Sequence, residues 1–459
     1  MREVTPNNRI GVCLCGIHHN VPAQFIGSLC AHAADEGLLV QIFAPFTELS
    51  GKDHHDLGEA SVFDYIEFEK LMALVILSET FKDDGIVKNL VQKANNAGIP
   101  VISVDKPLEN CFNITYDYSN SFEEIVRHVI EEHGCYFINF LAGMKDNPFS
   151  DERIEVYKKI LAEHNIPFEE ERLGYGDFWE LPAKAAVENF LQGDLPLPEA
   201  IICCNDEMAV AACDVLQAHG FKVPDDVIVT GFDGYELGKL YSPTITTCEQ
   251  DTETAARVTV TLCKDISNGM YTAPIDYSID FKTVYNGSCG CKECESAITN
   301  QSVVWLFHKF KTSRAFHEHS SMMALSLSDG LGLTEVCEYM DNFFQRVSCH
   351  CAAVVLRSSY VNPLLPSHKE PFPEDSMVQV IDFRKYEYDT PFVVSEATSS
   401  FPFLEECAED SNQLLYIPLH MHDRVFGYLM IGCNHHFSLL DYDLLRVFTD
   451  NLNRIFASL

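Results

Sequence analysis

The sequence predicts an α/β protein with two lobes of parallel β-sheet flanked by helices, followed by a smaller α+β domain. Three observations lead to this prediction. Over the first 290 residues, short apolar runs alternate with stretches of helical periodicity, which is typical of successive βαβ units. The alternation forms two series, one before and one after Asp117, and this indicates two lobes. From about Ser288 the chain instead shows a long polar helix, a hairpin and a closing helix.

The first series follows a polar N-terminus of nine residues. Gly37 and Gly98 stand where a helix C-cap belongs, directly before the next predicted strand, because glycine readily adopts the left-handed conformation that ends many helices. The predicted elements are the strand Ile10 to Leu14, the helix Pro22 to Glu36, the strand Leu38 to Phe43, the strand Ala73 to Leu77, the helix Asp84 to Ala97 and the strand Pro100 to Val104.

The second series repeats this alternation. Its predicted elements are the helix Ser121 to His133, the strand Tyr136 to Leu141, the helices Asp151 to His164 and Pro182 to Gln192, the strand Ala200 to Cys204, the helix Glu207 to His219, the strand Val227 to Thr230 and the helix Thr252 to Ser267. Ligands of open parallel sheets bind outside the carboxyl ends of the strands. Polar residues at predicted strand ends are therefore candidate ligand groups: His18, His19, Asp105, Lys106, Asn205, Asp206 and Asp233.

The last third of the chain has a different pattern. A polar helix from Gln301 to Leu327 precedes a hairpin that pairs Gln413–His420 with Val425–Cys433, and a final helix runs from Ser438 to Leu459. We therefore predict three parts: a ligand-binding domain over residues 1–288, a cysteine-containing linker with a signalling helix over 289–329, and a sensory domain over 330–459.

The composition argues against several classes of protein. With 68 acidic and 32 basic residues, the formal net charge is −36, so direct binding to nucleic acid, itself a polyanion, is not expected. No apolar run approaches the roughly 20 residues that a membrane-spanning helix needs, and no signal peptide is evident. Many of the 18 cysteines lie within apolar strand or helix patterns, where cysteine acts as a small hydrophobe. We therefore expect reduced thiols in a cytoplasmic protein.

Neither catalysis nor metal binding is predicted. The chain lacks the G-x-S-x-G, H-E-x-x-H, P-loop and dinucleotide-binding glycine patterns. The segment Cys289-Gly-Cys291-x-x-Cys294 could supply one pair of zinc ligands. Zinc sites usually combine two separated ligand pairs, and no second pair with suitable spacing is evident in the sequence. We expect a structural or interdomain role for these cysteines, with no catalytic residue, no metal and no cofactor.

Five separated strings connect the chain with a known family. They are PVISVDKP from Pro100, SDERIEVY from Ser150, CCNDEMA from Cys203, VIVTGFDG from Val227 and TITTCEQD from Thr244. In this order and spacing, the set resembles the effector-binding core of the lactose/galactose-repressor (LacI/GalR) family and of related periplasmic sugar-binding proteins. The resemblance covers about residues 8–288 and implies a two-lobed, periplasmic-binding-protein-like (type 1) fold.

The resemblance also implies a set of ligand-binding side chains. Arg153 would present a planar fork of donors, Asp233 would accept hydrogen bonds from vicinal hydroxyls, and Phe178 would cover the apolar face of a sugar ring. Trp179 is an alternative to Phe178, and both are equally well explained by packing. The full set is Asp105, Lys106, Arg153, Phe178, Asn205, Asp233 and Gln250.

Two departures leave the ligand undefined. Lys106 stands where many members of the family carry arginine, so the bidentate geometry is lost. The segment His19-Asn20-Val21 replaces the usual Asn-Pro-Phe before the first helix, so a standard hexose or pentose is not implied.

The C-terminal part resembles a GAF-type sensory domain. The string QLLYIPLHMHDRVFGYLMI from Gln413 predicts strand, turn and glycine-containing strand, and FSLLDYDLLRVFTDNL from Phe437 predicts the closing amphipathic helix. This resemblance is less specific than the first, because apolar hairpins followed by a helix are common.

The main functional hypothesis is a cytoplasmic sensor of a small polar ligand, for which a sugar is one candidate. Ligand binding would close the two lobes and shift the signalling helix and the GAF-like domain, in a homodimer. With only nine residues before Ile10, a DNA-binding head is not expected. By resemblance to sensors of this layout, the output would be a module outside the chain, in first place a diguanylate cyclase (GGDEF) domain.

Two alternatives remain at this point. The first is a LacI-family-like transcriptional regulator that acts through a partner or through a missing DNA-binding domain. The second is a hydrolase or transferase with an unrecognised site, for which turnover of a bound sugar would be diagnostic.

Overall fold

The computed structural model describes residues 8–50, 53–193, 195–271, 273–292, 349–364, 371–384, 392–396, 411–433 and 439–459, together with residues 310, 314, 340 and 344. These residues form two compact units. Unit 1 comprises Met1–Thr115, Thr252–Tyr277 and Lys309–Leu459, and unit 2 comprises Tyr116–Asp251 and Ser278–His308. The two-lobed α/β fold predicted for the first part of the sequence is confirmed.

Strands and helices alternate through both units up to the start of the C-terminal part. In chain order they are β1 (Arg9–Cys13), α1 (Asn20–Asp35), β2 (Leu39–Phe43), α2 (His54–Ala60), β3 (Ala73–Leu77), α3 (Asp84–Asn96), β4 (Val101–Val104), β5 (Phe112–Tyr116), α4 (Tyr118–Arg127), β6 (Ile138–Ala142), α5 (Pro148–Glu163), β7 (Leu173–Tyr175), α6 (Glu180–Gln192), β8 (Ala200–Cys203), α7 (Asp206–Ala218), β9 (Ile228–Thr230), α8 (Glu236–Leu240), β10 (Thr247–Glu249), α9 (Thr252–Ser267), β11 (Asp276–Ile279) and β12 (Lys282–Val284).

The described C-terminal residues add five strands and two helices. These are β13 (Cys351–Arg357), α10 (Ser358–Leu364), β14 (Met377–Arg384), β15 (Phe392–Glu396), β16 (Gln413–Met421), β17 (Arg424–Cys433) and α11 (Leu439–Ser458). Strands β16 and β17 pair antiparallel, from Gln413 opposite Cys433 to Met421 opposite Arg424. The predicted hairpin and closing helix are therefore confirmed.

Unit 1 is built on the larger sheet, whose strand order is β11-β5-β4-β3-β1-β2-β16-β17-β13-β14-β15. Strands β1 to β5 pair in parallel with one another, as expected for βαβ units. Their side chains are almost all buried, because helices cover the faces of a parallel sheet.

The C-terminal strands continue the first-lobe sheet, which the sequence analysis did not anticipate. Strand β16 pairs in parallel with β2, from Gln413 opposite Val40 to Tyr416 opposite Phe43. The Tyr416 ring stacks on Phe43 with centroids 4.9 Å apart, and the Gln41 amide donates to the Tyr416 hydroxyl at 3.3 Å. We call this contact the β2–β16 junction.

A buried polar contact lies at the same junction. Glu59 on α2 accepts from the Phe46 backbone N–H at 2.6 Å, and its other oxygen lies 3.1 Å from His420 Nε2. His420 Nδ1 lies 2.9 Å from the His422 carbonyl oxygen, so both ring nitrogens face acceptors. A Cβ atom on Gly58 would lie 2.0 Å from the His420 ring, so helix α2 and strand β16 approach closely.

The predicted boundaries of the C-terminal part and its GAF-type character stay predictions. Most of the predicted signalling helix, Gln301 to Leu327, lies outside the described residues.

Unit 2 contains a parallel four-stranded sheet with the order β7-β6-β8-β9 and a small antiparallel pair, β10 with β12. Its core includes the fully buried rings of Phe122, Phe140 and Phe232. The predicted helix over Ser121 to His133 is interrupted: α4 ends at Arg127 and a π-helical turn, His128–Glu132, follows.

Two further findings concern the whole described part of the chain. No helix there is both long enough and apolar enough to span a bilayer. All fifteen described cysteines are free thiols, and fourteen of them are buried.

Candidate functional site

The predicted ligand residues are divided between the two units. Asp105 and Lys106 follow β4 in unit 1, whereas Arg153, Phe178, Asn205, Asp233 and Gln250 lie in unit 2. Most of them follow the carboxyl end of a parallel strand, where the topology of the sheet places ligand groups.

Arg153 is held inside unit 2 rather than in solvent. Its Nη1 donates to the Cys204 carbonyl at 2.6 Å, and its Nη2 lies 3.6 Å from Asp233 Oδ1. The guanidinium also lies over the Phe232 ring, 4.4 Å from its centroid. These contacts fix the planar fork, leaving its remaining donors as candidates for a ligand. At 5% exposure, Arg153 is not a solvated residue of the helix surface.

Asp233 follows β9 and has an unusual backbone, with φ of +85°. Its side chain is 16% exposed. Burial raises the pKa of Asp233, while Arg153 and a hydrogen bond with the Tyr235 side chain lower it in part. A carboxylate with this environment can accept hydrogen bonds from ligand hydroxyl groups while it stays paired with Arg153.

Asn205 and Phe178 form one local arrangement. Asn205 caps helix α7: its Oδ1 accepts from the Met208 N–H at 2.9 Å, and its Nδ2 donates to the Phe178 carbonyl at 3.1 Å. Both ends of its amide are therefore used within the protein. Phe178 has φ of +65°, and its ring packs on Gly143, where a Cβ would lie 2.0 Å from Phe178 Cζ. Asn205 thus positions the Phe178 loop. Trp179 beside it is 59% exposed.

Gln250 adds an amide beside an aromatic group. Its Nε2 donates to the Tyr118 hydroxyl at 2.8 Å, and its buried Oε1 has no hydrogen-bond partner among the described residues. The Tyr118 ring packs against Phe281 and Phe149 with centroids 5.1 and 5.8 Å away. Sequence reasoning missed Tyr118, although Asp117-Tyr118 follows β5 directly, in the same strand-end position as the other ligand groups.

Asp105 and Lys106 form the corresponding loop of unit 1. Asp105 has φ of +79°. The Lys106 carbonyl accepts from both the Ser78 and the Ser103 hydroxyl groups at 2.6 Å, so the backbone of the loop is fixed. The Lys106 ammonium donates to Asp84 at 2.9 Å, and this hydrogen bond raises its pKa. The sequence did not predict this surface ion pair.

Three of the seven candidate ligand residues have a left-handed backbone conformation. Asp105, Phe178 and Asp233 all have positive φ. Such conformations cost free energy in residues other than glycine and are found preferentially at functional sites.

His18, which follows β1 in unit 1, is another predicted strand-end group. Burial, with His19 and Arg446 as smaller causes, lowers the pKa of His18 to about 4. The ring is therefore neutral near neutral pH, and its Nε2 lies 3.1 Å from Arg446 on helix α11. The loop after β1 is thus in contact with the last helix of the chain.

Asp206 is a buried acid next to this site. It has no exposed surface, and its Oδ2 accepts from the Tyr235 N–H at 2.5 Å. Burial raises the pKa of Asp206 well above 3.8, and hydrogen bonds with Thr247 and Tyr235 offset the effect only in part. Because the folded state binds this proton more tightly than the unfolded chain, the stabilising contribution is present below about pH 4 and is lost as the pH rises through the raised pKa.

We therefore expect Asp206→Asn to raise the melting temperature relative to the wild type, because asparagine keeps an acceptor for Tyr235 without a buried charge. The difference should grow as the pH rises above about 4, from the pKa of the unfolded chain towards the raised pKa of Asp206 in the folded state. Differential scanning calorimetry across this range measures it, with Asp225→Asn, an exposed acid, as the control. A constant deficit of Asp206→Asn at every pH would contradict this assignment.

Comparison with known proteins finds a family that is similar to much of the second lobe. Residues 126–289 match the family described as periplasmic binding protein-like domain. Among curated proteins, the transcriptional regulator CelR of Thermobifida fusca is 29% identical over 51% of this chain and 66% of its own length. The repressor PurR of Aliivibrio fischeri is 35% identical over 27% of this chain and 37% of its own length. The probable repressor ExuR of Bacillus subtilis is 25% identical over 42% of this chain and 56% of its own length.

The matched segments thus span less than two thirds of these relatives. Among solved structures, the CelR–cellobiose complex aligns over 61% of this chain and 84% of its own, at 23% identity and a TM-score of 0.49. The lac repressor dimer bound to operator aligns over 61% of this chain and 93% of its own, at 19% identity and a TM-score of 0.49.

All three curated relatives are named as regulators or repressors of transcription, and none is named as an enzyme. This agrees with the expectation that the chain has no catalytic function. Residues 126–289 are thus similar to the periplasmic binding protein-like domain family, and the three curated relatives that match part of the chain are named as HTH-type regulators or repressors of transcription.

Proposed function

We propose that this chain is the effector-sensing part of a transcriptional regulator and that its effector is a small polar molecule of the carbohydrate class. The single observation that carries the proposal is the buried pair of Arg153, on helix α5, and Asp233, after strand β9, inside the range that matches the periplasmic binding protein-like family. Sugar hydroxyl groups form hydrogen bonds with carboxylate, guanidinium and amide groups, and aromatic rings pack against the C–H faces of a sugar ring.

The proposed ligand groups have unequal roles. Asp233, Arg153 and Gln250 offer polar atoms, Phe178 and Tyr118 offer aromatic surface, and these contacts define the orientation of the ligand. Asn205 acts as a positioning residue, because its amide already holds the helix cap and the Phe178 carbonyl. Asp105 and Lys106 are proposed as the contribution of the first lobe.

The proposed output is control of transcription through a DNA-binding unit, supplied by a partner chain or by a segment of the protein outside these 459 residues. The named functions of the sequence relatives support this output. No relative reported above is a diguanylate cyclase, so a cyclic-dinucleotide output is not part of the proposal. The net charge of −36 argues against contact between these residues and DNA.

The proposed signal is closure of the lobes on the ligand, in a cytoplasmic homodimer. Ligand binding drives such a change only by its differential affinity for the two states. The contact of His18 with Arg446 and the β2–β16 junction supply mechanical links from the first lobe to the C-terminal strands and helix. A change in the loops after β1 or β2 would therefore reach the C-terminal part directly.

A thermal-shift screen tests the effector class. The panel contains monosaccharides, oligosaccharides including cellobiose, nucleosides and amino acids. We expect one or more carbohydrates to raise the melting temperature, because a ligand that binds only the folded state stabilises it by mass action. A shift caused by nucleosides or amino acids and by no carbohydrate would overturn the assignment of the effector class.

A further inference from the structure

Two histidines and two cysteines of unit 2 converge on one point. His128 and His133 lie in the π-helical turn after α4 and directly behind it, and Cys289 and Cys291 lie in the segment after β12. The four ligand atoms all lie within 4.8 Å of one another. The sequence spacing showed no second ligand pair for these cysteines, and the structure brings one to them from residues about 160 positions earlier in the chain.

We propose that these four side chains form a structural zinc site. Tetrahedral zinc with bonds of about 2.0–2.1 Å to nitrogen and 2.3 Å to sulfur requires separations of about 3.3 Å between two nitrogens and about 3.6 Å between nitrogen and sulfur. Cys291 Sγ lies 3.5 Å from His128 Nε2 and 3.5 Å from His133 Nε2. The two Nε2 atoms are 3.1 Å apart. The described distances are thus close to three edges of such a tetrahedron.

The backbone explains why these side chains meet. In an α-helix, residues five apart point in different directions, whereas the wider π-turn brings His128 and His133 to the same side. The spacing H-x4-H lies within the range found for paired histidine ligands of zinc. On the other side, Gly290 has φ of +83°, which permits the sharp turn that presents Cys289 and Cys291 together.

Two neighbouring side chains, Thr246 and Tyr285, contact the proposed ligands Cys289 and His128 and hold them in position. The Thr246 hydroxyl accepts from the Asn286 N–H at 2.8 Å and therefore directs its own hydrogen to Cys289 Sγ, at 2.9 Å. A donor of this kind stabilises a ligating thiolate. The Tyr285 ring lies on the His128 ring with centroids 4.1 Å apart and restricts its orientation.

The ligand chemistry selects the ion. Two thiolates and two imidazoles in tetrahedral arrangement suit zinc, whereas magnesium and calcium prefer oxygen ligands. Four protein ligands complete the coordination, which is typical of structural rather than catalytic sites. Cys291 is exposed, so an ion can enter from solvent. The bound ion would fasten the segment after β12, where the chain leaves the sheet elements of unit 2, to the end of α4.

Metal analysis of the purified full chain under reducing conditions tests the proposal. We expect about one zinc per chain, and cobalt substitution should give thiolate-to-metal charge-transfer absorption with the d–d bands of a tetrahedral site. Cys289→Ser, Cys291→Ser and His133→Ala should each lose the stoichiometric metal. Thr246→Val should weaken zinc binding by about 10–100-fold, as measured by chelator competition.

Two control variants separate this site from adventitious binding by other thiols and imidazoles. Cys111→Ser changes a thiol of unit 1, and His219→Ala changes an exposed histidine of unit 2, so both should keep the zinc. A wild type that takes up neither zinc nor cobalt would overturn the proposal. Full retention of zinc by the ligand variants would equally overturn it, since the ion would then be bound elsewhere. The cobalt spectrum of the wild type decides the question even where a variant fails to fold.

Discussion

Arg153→Met is expected to lower the free energy of unfolding by about 3–5 kcal/mol, the cost of breaking a buried ion pair by removal of one partner. Methionine retains much of the side-chain length but leaves the Asp233 carboxyl without its counter-charge and the Cys204 carbonyl without its donor. It also removes the cation from the face of Phe232. Urea unfolding followed by circular dichroism measures the loss.

A double-mutant cycle shows whether the pair itself is the cause. Asp233→Asn in the Arg153→Met background removes the isolated charge, so the double variant should be more stable than Arg153→Met alone. Lys158→Met is the matched control on the same helix, because Lys158 is only partly buried, pairs with Glu155 at 3.2 Å and lies 5.0 Å from the centroid of the Phe168 ring. It should change the stability by less than about 1 kcal/mol. An Arg153→Met variant as stable as the control would contradict the buried pair.

The second large loss of stability is expected for a substitution at the β2–β16 junction. Tyr416 is fully buried, and its ring stacks on Phe43. Tyr416→Ala should lower the free energy of unfolding by about 3–5 kcal/mol, as is usual when a large buried aromatic side chain is removed. Tyr416→Phe is the matched control, because it keeps the ring and removes the hydroxyl group that accepts the 3.3 Å hydrogen bond from Gln41. Its cost should be about 1 kcal/mol.

Hydrogen exchange locates the effect of Tyr416→Ala. If β16 extends the first-lobe sheet, the variant should lose protection in Leu39–Phe43 of β2 as well as in β16 and β17. Unchanged protection of β2, with loss confined to the C-terminal strands, would show that the C-terminal part is an independent domain.

Much of the fold was predictable because its signals are local. The hairpin of β16 and β17 was predicted to within one residue at each strand end, since alternating apolar strands flank a short polar turn. The main strands β1 to β4 were predicted from continuous apolar runs. Short strands such as β7, β10 and β12 were missed, because three or four residues carry too little pattern.

The contacts that were missed are long-range. The pairing of β2 with β16 joins residues more than 370 positions apart. It could not be predicted from the apolar pattern, because each strand would be just as apolar in the interior of a separate domain. The convergence of His128 and Cys291 depends on a π-turn, whose extra residue leaves no trace in the hydrophobic periodicity. The site residues of unit 2 were identified from family strings, but the capping role of Asn205 required the structure.

The central claim is that polar side chains at the strand ends of unit 2 bind the effector, and titration calorimetry of Gln250→Ala tests it most directly. Gln250 is suited to this test because it is only partly buried and its Oε1 has no partner among the described residues. The matched control is Gln217→Ala, an exposed glutamine on α7 in the same unit. With a carbohydrate identified by the thermal-shift screen, we expect Gln250→Ala to weaken binding about tenfold, the equivalent of one lost hydrogen bond. Gln217→Ala should bind like the wild type. Equal affinity of the wild type and both variants would contradict the proposed site.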